Sequence, residues 1–222
     1  MSIEIDERGD VRILRWDDGE NRVNPDSMAE WHAALDHLEA IEGPLALVVI
    51  GTGKFFSNGL DLDRFQRAPE ELGETVTLLH SLFARMLLFP GYAVAAINGH
   101  AFAAGAMLTC CFDARVMRSD RGYWCLPEVD LGLPLSGCMA ATVSARLPAE
   151  AAQDAMITGR RYGAEDALAL GIVTETCDEA RLLEVSVELA AEMAGKDRRV
   201  IAEHKRLLFG AAAEICGVHS AP

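Results

Sequence analysis

The sequence predicts an α/β fold in which residues 1–135 form a spiral of ββα repeats and residues 136–222 form a helical C-terminal region. Two short apolar runs, LALVVIGTG (45–53) and YAVAAIN (92–98), are typical of strands buried on both faces. Each is followed by a segment with helical spacing, and this alternation indicates parallel ββα or βαβ units. The C-terminal region is helical in pattern except for the strand-like GIVTE (171–175). We therefore predict one continuous unit.

Composition limits the classes of function. The chain has 222 residues, 50% of them hydrophobic, which is enough to bury a sizeable core. A formal net charge of −14 opposes nucleic-acid binding, which depends on Lys and Arg neutralising phosphates. The six cysteines and six histidines, His219 among them, show no zinc-ligand spacing, so no metal is expected. We expect reduced core thiols in a cytoplasmic protein, and the charged N-terminal segment lacks the apolar stretch of a secretory signal.

The remaining elements can be predicted in order along the chain. A hairpin is expected around Arg8-Gly9-Asp10. A helix begins at Asn24, a suitable N-cap, with Pro25 in its first turn. The further predicted elements, in chain order, are a helix over 69–90, a helix over 103–113, a strand over 114–119 and an amphipathic helix over 197–217.

The segment 86–112 carries no acidic or basic residue except His100, which makes it the one candidate for a membrane span. Two turn dipeptides, Pro90-Gly91 and Asn98-Gly99, interrupt it. The pieces are shorter than the roughly 20 continuous apolar residues that a spanning helix needs. A buried strand, turn and helix are favoured, and no membrane association is expected.

Two glycine-rich loops, GTGKFFSNGLDLDRF (51–65) and NGHAFAAGAMLT (98–109), follow the two buried strands. Ligands bind at the carboxyl ends of parallel strands. Because Gly and Ala have little or no side chain, backbone N–H groups in these loops can approach a ligand closely. The second loop also enters a helix, whose N-terminus stabilises negative charge. Two such N–H groups facing one carbonyl oxygen would form an oxyanion hole; the alternative is that the turns serve only tight packing.

Four segments together resemble the enoyl-CoA hydratase/isomerase, or crotonase, family in order and spacing. They are FFSNGLDL (55–62), INGHAFAAGAML (97–108), DRGYWCLPEVDLGLPL (120–135) and ITGRRYGAEDALALGIVTE (157–175). The resemblance implies a crotonase-like spiral with a C-terminal helical trimerisation region. It also implies an acyl-CoA substrate and assembly as a homotrimer or a dimer of trimers. Coenzyme A would be part of the substrate, with no separate cofactor.

The resemblance also implies where the oxyanion hole lies. The backbone N–H groups of Leu60 and Ala104 would bind the thioester carbonyl oxygen. Gly59, Asp61 and Gly105 would support the two turns, and we expect the Asp61 carboxylate to accept backbone N–H bonds rather than to do chemistry.

Family hydratases use two glutamates, and this chain matches only one of them. The first position is Met107, which cannot activate water, so hydration is not favoured as the main reaction. The second is Glu128, and one glutamate with an apolar partner position resembles the Δ3,Δ2-enoyl-CoA isomerases. A second isomerase subtype places its base near Leu135–Ser136, where this chain has no acid.

Glu128 is flanked by apolar residues, including Trp124 and Leu126. If those surroundings are dry, the pKa of the carboxyl group is raised and its basicity with it. The alternative is an exposed loop acid or a helix-capping one. His100 is favoured as a packing residue or a partner in a backbone hydrogen bond rather than as a second acid or base.

Further residues are predicted to contact the substrate or its CoA part. They are Arg22, Ser57, Asn58, Met107 and Lys205, with Arg22 equally well explained as a solvated surface arginine. Another group is explained either by an acyl tunnel or by core packing: Phe65, Leu79, Phe83 and Met86.

The resulting prediction is a Δ3,Δ2-enoyl-CoA isomerase of fatty-acid oxidation. Two alternatives stay open. One is another reaction of the family, such as hydration, dehydration or thioester hydrolysis. The other is a non-catalytic acyl-CoA-binding subunit. The amphipathic segment 178–216 is predicted to contribute to a trimer interface.

Overall fold

The computed structural model describes residues 2–217 of the chain, and His219 lies outside them. The strands, in chain order, are β1 (Ile3–Arg8), β2 (Val11–Trp16), β3 (Arg22–Val23), β4 (Ala46–Gly51), β5 (Phe55–Ser57), β6 (Gly59–Leu60), β7 (Tyr92–Ile97), β8 (His100–Phe102), β9 (Ala114–Arg118), β10 (Trp124–Cys125) and β11 (Glu175–Cys177). The helices are α1 (Pro25–Glu39), α2 (Leu62–Arg67), α3 (Glu71–Leu87), α4 (Ala104–Cys110), α5 (Glu128–Leu131), α6 (Gly137–Arg146), α7 (Ala149–Thr158), α8 (Ala164–Ala169), α9 (Glu179–Ala194) and α10 (Arg198–Ile215).

The main sheet has six strands in the order β1-β2-β4-β7-β9-β11. β1 and β2 form an antiparallel hairpin in which Arg8 pairs with Val11. All other neighbours in this sheet are parallel. Every residue of β4 and β7 except Tyr92 is buried, as expected for parallel strands covered on both faces. The predicted hairpin and the two predicted buried strands are confirmed.

A second, shorter strand follows each of β4, β7 and β9. These short strands, β5, β8 and β10, form a separate three-stranded parallel sheet in the order β10-β8-β5. β5 leads through β6 to two helices, β8 leads to one helix and β10 leads to four, so the predicted ββα repeat is confirmed. The short strands contain only two or three residues, too few for a periodic pattern, and the sequence predicted loops there.

The start of α1 follows from its sequence. Asn24 Oδ1 accepts the Ser27 N–H at 3.0 Å, and Ser27 Oγ accepts the Asn24 N–H at 3.0 Å. This reciprocal pair satisfies donors that a helix leaves free at its first turn. Pro25 occupies that turn, so the predicted N-cap and proline position are confirmed.

Helices cover both faces of the main sheet. α9 packs on one face over a small apolar core, whereas α1, α3, α4, α6 and α10 enclose the larger core on the other side. Leu79, Phe83 and Met86 are fully buried in the larger core, which supports the packing explanation for them. Phe65 is buried as well. In residues 2–217 no helix is long and apolar enough to cross a membrane.

Two expectations about the C-terminal region are wrong in detail. The strand predicted at GIVTE begins only at Glu175. Ile172 and Val173 do not pair in the sheet; their side chains are buried in the larger core. The cysteines are not all free thiols, since Cys138 and Cys216 form a disulfide between α6 and the end of α10. These two cysteines are 78 positions apart, and only the packing of α10 on α6 brings them together.

Candidate active site

Three parallel strands end at one edge of the small sheet, and each leads to one predicted site residue. β5 leads to Leu60, β8 to Ala104 and β10 to Glu128. The register keeps these ends level, because the Ala103 N–H donates to Cys125 O at 3.0 Å. The sheet therefore brings together residues that lie far apart in the sequence, as expected for ligand sites at the carboxyl ends of parallel strands.

The two predicted oxyanion turns interlock through their glycines. A Cβ atom built on Gly59 would lie 3.3 Å from Ala104 N. A Cβ atom on Gly105 would lie 2.6 Å from Ser57 O. Each glycine therefore allows one turn to approach the backbone of the other, which brings Leu60 and Ala104 to neighbouring positions.

Ala104 is the first residue of α4, where N–H groups have no acceptor within the helix. Ala103, just before it, has φ 51° and ψ −126°, a conformation that strains a residue with a Cβ atom. The ψ angle of Ala103 sets the orientation of the peptide that carries the Ala104 N–H. Strain at this position therefore coincides with a predicted oxyanion donor.

Asp61 holds the first turn as predicted. Its Oδ1 accepts the Arg64 N–H at 3.1 Å, which caps α2. The same oxygen accepts a hydrogen bond from Arg22 Nη1 at 3.2 Å. Both bonds use Oδ1 as the acceptor, so this oxygen holds the turn and the contact with Arg22 together.

Glu128 is the first residue of the four-residue helix α5. Its Oε2 is buried and has no hydrogen-bond partner among residues 2–217. Burial raises the pKa of this carboxyl group. A hydrogen bond from the backbone N–H of Glu128 lowers the pKa, but by less than burial raises it. Trp124 and Leu126 beside it are fully buried, whereas Val129 is 49% exposed. The group is thus a desolvated carboxyl with raised basicity, which does not fit an exposed loop acid.

Met107 lies on α4 in the main hydrophobic core and is 1% exposed. The position that an acid would occupy in a hydratase is therefore apolar and dry. Elsewhere at the site, Trp124 Nε1 donates to Thr109 Oγ1 at 2.9 Å, which fixes β10 to α4. Within the described part of the chain, no group of three or more His, Cys, Asp or Glu side chains is placed to hold a metal ion.

Arg22 and Asn58 lie at the partly exposed rim of the first oxyanion turn. The Arg22 guanidinium contacts the carboxylates of Glu20 (2.7 Å), Asp61 and Asp63 (2.6 Å). The hydrogen bonds that Arg22 donates to Asp63 first, and then to Glu20, raise the pKa of Arg22. Asn58 Nδ2 also donates to Glu20 at 2.9 Å. Contact of these two residues with CoA stays a prediction.

Two other residues predicted to contact the substrate are buried, and their polar groups bond within the protein. Ser57 has no exposed surface, and its hydroxyl donates to Asn21 O at 2.6 Å. Lys205 is 5% exposed, with its Nζ 2.6 Å from Asp113 Oδ2 and 2.8 Å from Gly91 O. Gly91 precedes β7, so Lys205 lies at the edge of the sheet opposite the site. Helical spacing on α10 did not reveal that this lysine faces inward.

His100 has the structural role that was favoured. Its Nδ1 accepts the Tyr123 N–H at 3.2 Å, and the two rings stack with centroids 5.7 Å apart. Burial lowers the pKa of His100, and nearby positive charges, including Lys54, lower it further. His100 begins β8 whereas Ala104 follows its end, so the imidazole lies at the far side of the small sheet.

Sequence reasoning missed three residues near the site. Asn21 and Ala103 are the two residues other than glycine with positive φ among residues 2–217. Asparagine tolerates this conformation, which is a weak signal for Asn21, but no signal marks Ala103.

His80 on α3 is the third residue. Its Nε2 lies 2.9 Å from Ser136 Oγ, beside the turn where the second isomerase subtype would place a base. Burial lowers the pKa of His80.

Comparison with known proteins identifies the class. The family model described as enoyl-CoA hydratase/isomerase matches residues 13–214. The chain therefore belongs to the enoyl-CoA hydratase/isomerase family, and its fold is the crotonase fold.

Individual relatives carry different activity names. Peroxisomal enoyl-CoA delta isomerase 2 of Arabidopsis thaliana is 33% identical over 228 residues, covering 96% of this chain and 93% of that protein. A putative enoyl-CoA hydratase of Thermus thermophilus is 36% identical over 197 residues, covering 85% and 76%. A probable enoyl-CoA hydratase of Mycobacterium tuberculosis superposes with a TM-score of 0.90 at 26% identity, over 97% of this chain and 92% of that one.

Proposed function

We propose that this protein is a Δ3,Δ2-enoyl-CoA isomerase, which moves the double bond of a 3-enoyl-CoA to the 2-trans position in fatty-acid oxidation. One observation carries the proposal. The desolvated Glu128 carboxyl lies at the same sheet edge as Leu60 and Ala104, while the second acid position is the buried Met107. The similarity to an isomerase of Arabidopsis thaliana supports it.

The proposed reaction needs one base and an oxyanion hole. The N–H groups of Leu60 and Ala104 bind the thioester carbonyl oxygen. The Glu128 carboxylate takes a proton from C2, and the electron pair moves through the conjugated system to give a dienolate with charge on that oxygen. The protonated Glu128 then returns a proton at C4, the double bond forms between C2 and C3, and the carboxylate is regenerated. The reaction consumes no water and no redox partner, because the product is an isomer of the substrate. Coenzyme A is part of the substrate, so no separate cofactor is needed.

Hydration is the second candidate, because a relative named as a putative hydratase has 36% identity. Addition of water needs a group that activates it in addition to the group that protonates the substrate. Met107 offers no such group, so the isomerase is favoured. A non-catalytic acyl-CoA-binding subunit has no need for a base, so it would not account for a buried carboxyl group with a raised pKa at Glu128.

Assembly as a homotrimer or dimer of trimers is part of the proposal. Leu207 and Leu208 on α10 are 80% and 70% exposed, and Ile215 is 59% exposed, which supports burial of this helix against another subunit. A cytoplasmic location also stays a prediction.

The test is product identification. Purified protein is incubated separately with 3-hexenoyl-CoA and with 2-hexenoyl-CoA, and the products are identified by mass spectrometry and NMR. Conversion of the first into 2-trans-hexenoyl-CoA without a gain of water is expected. Rapid formation of 3-hydroxyhexanoyl-CoA from the second would favour the hydratase, and binding without turnover of either would favour the non-catalytic subunit.

A further inference from the structure

Ser57 contacts both predicted oxyanion turns and has no exposed surface. Its Oγ accepts the Gly59 N–H at 3.3 Å, one residue before Leu60. On its other side, a Cβ atom on Gly105 would lie 2.6–2.7 Å from the Cβ, O and Oγ atoms of Ser57. Gly105 directly follows Ala104. One fully buried side chain therefore lies between the segments that carry the two donors.

The orientation of this hydroxyl is fixed by Asn21. The hydroxyl has a single proton, which goes to Asn21 O at 2.6 Å, so an oxygen lone pair is available to the Gly59 N–H. Asn21 in turn holds the strand that ends at Ser57, because its Nδ2 donates to Phe55 O at 3.3 Å and Phe56 O at 3.1 Å. Asn21 is itself fully buried with φ 52°.

Oxyanion stabilisation depends on donors that are already in position before charge develops. A side chain that touches both turns and is held by a third segment is suited to fix that position. We infer that Ser57 is a positioning residue, which sets the spacing of the Leu60 and Ala104 N–H groups while Asn21 fixes its hydroxyl. This inference rests on the proposed function to the extent that the site binds an acyl thioester.

Two matched variants separate positioning from simple packing. Ser57→Ala removes the hydroxyl and keeps the Cβ atom beside Gly105. Ser186→Ala is the control, since Ser186 on α9 is also fully buried and also donates to a backbone carbonyl, Leu182 O at 2.8 Å. Ser57→Ala loses two buried hydrogen bonds and Ser186→Ala loses one. The control still reports the cost of removing a buried hydroxyl, because α9 packs on the main sheet.

The main readout does not require turnover. Hexanoyl-CoA labelled with ¹³C at the carbonyl is bound to each protein, and isotope-edited infrared spectroscopy measures the lowering of the C=O stretching frequency. Ser57→Ala is expected to reduce this lowering, whereas Ser186→Ala is expected to keep it. With 3-hexenoyl-CoA, kcat of Ser57→Ala is expected to fall about 10- to 100-fold, less than the roughly 10²–10³-fold for complete loss of a donor. KM is expected to change little, because the CoA contacts are untouched.

A wild-type carbonyl frequency and kcat in folded Ser57→Ala would overturn the inference. If that variant does not fold, Ser57→Cys replaces it, because the longer C–S bond displaces the donor from Asn21 O; a partial loss of the frequency change supports the inference and full retention overturns it. A wild-type protein that lowers the hexanoyl-CoA frequency but does not isomerise 3-hexenoyl-CoA would contradict the isomerase proposal alone. Absence of hexanoyl-CoA binding by the wild type would overturn both.

Discussion

Gly59 lies directly against the peptide nitrogen of Ala104. A Cβ atom on Gly59 would be 3.3 Å from that nitrogen and 2.8 Å from the Cβ of Ala103. Gly59 also has φ +78°, a conformation that favours glycine. Position 59 therefore excludes a side chain for two independent reasons, backbone conformation and lack of space.

Substitution of Gly59 by Ala is predicted to lower kcat by more than the strain of a side chain at positive φ would by itself. The added methyl group has to displace the turn that carries the Ala104 N–H, so kcat should fall by up to the roughly 10²–10³-fold of one lost oxyanion donor. Gly53→Ala is the control, because Gly53 in the same loop has φ +64° but nothing within 4 Å of the added atom. Steady-state kinetics of both variants tests this. Equal activity of the two would show that the contact with Ala104 has no role in catalysis.

Glu128→Gln is predicted to lower turnover of 3-hexenoyl-CoA by at least the roughly 10²–10⁴-fold attributed to general acid–base catalysis. The amide keeps the size of the side chain but cannot accept the C2 proton. Affinity for hexanoyl-CoA, measured by calorimetry, should be retained. Asp130→Asn, an exposed acid in the same helix, should leave turnover near wild type. A folded Glu128→Gln protein with wild-type turnover would place the base elsewhere.

The raised pKa of Glu128 predicts two pH effects. Activity should be lost as pH falls through a pKa above the ordinary 4.5, because the base becomes protonated. The sign for stability is opposite: the folded protein favours neutral Glu128, so this contribution is complete below the unfolded-state pKa and is lost as pH rises through the folded-state pKa. Urea unfolding of wild type and Glu128→Gln should therefore show the variant gaining relative stability with rising pH. A pH-independent difference would contradict the raised pKa.

The disulfide predicts a thiol count. Titration of the unfolded, unreduced protein should detect four thiols, those of Cys110, Cys111, Cys125 and Cys177, and six after reduction. The double variant Cys138→Ser/Cys216→Ser should lose about 2–4 kcal/mol of unfolding free energy, as is typical for a disulfide. Cys177→Ser, at a half-buried free thiol, is the control. Six thiols before reduction would mean that the pair is reduced in the isolated protein.

The exposed leucines of α10 predict assembly. Leu207→Glu/Leu208→Glu should lower the mass measured by sedimentation velocity, because charge would be buried in a subunit contact. Ile157→Glu on α7 is the control, since Ile157 is equally exposed at 70% but lies outside α10. A monomeric wild type at all concentrations would contradict the proposed trimer.

Local features were predictable from the sequence because they depend on neighbours along the chain. Continuous apolar runs indicated β4 and β7, and Asn24 with Pro25 indicated the start of α1. The identities of Glu128 and Met107, on which the isomerase proposal rests, are likewise read directly from the sequence.

Contacts between distant segments were decided only by the tertiary structure. Lys205 looked available to the CoA part of the substrate but is buried against Asp113. Ser57 looked like a ligand contact but lies between two turns. Cys138 and Cys216 meet because α10 packs on α6. Periodicity and composition report whether a residue favours a strand, a helix or a buried face. Which residue it meets there depends on how whole elements pack, and that packing arises from the summed burial of the entire core rather than from any local pattern.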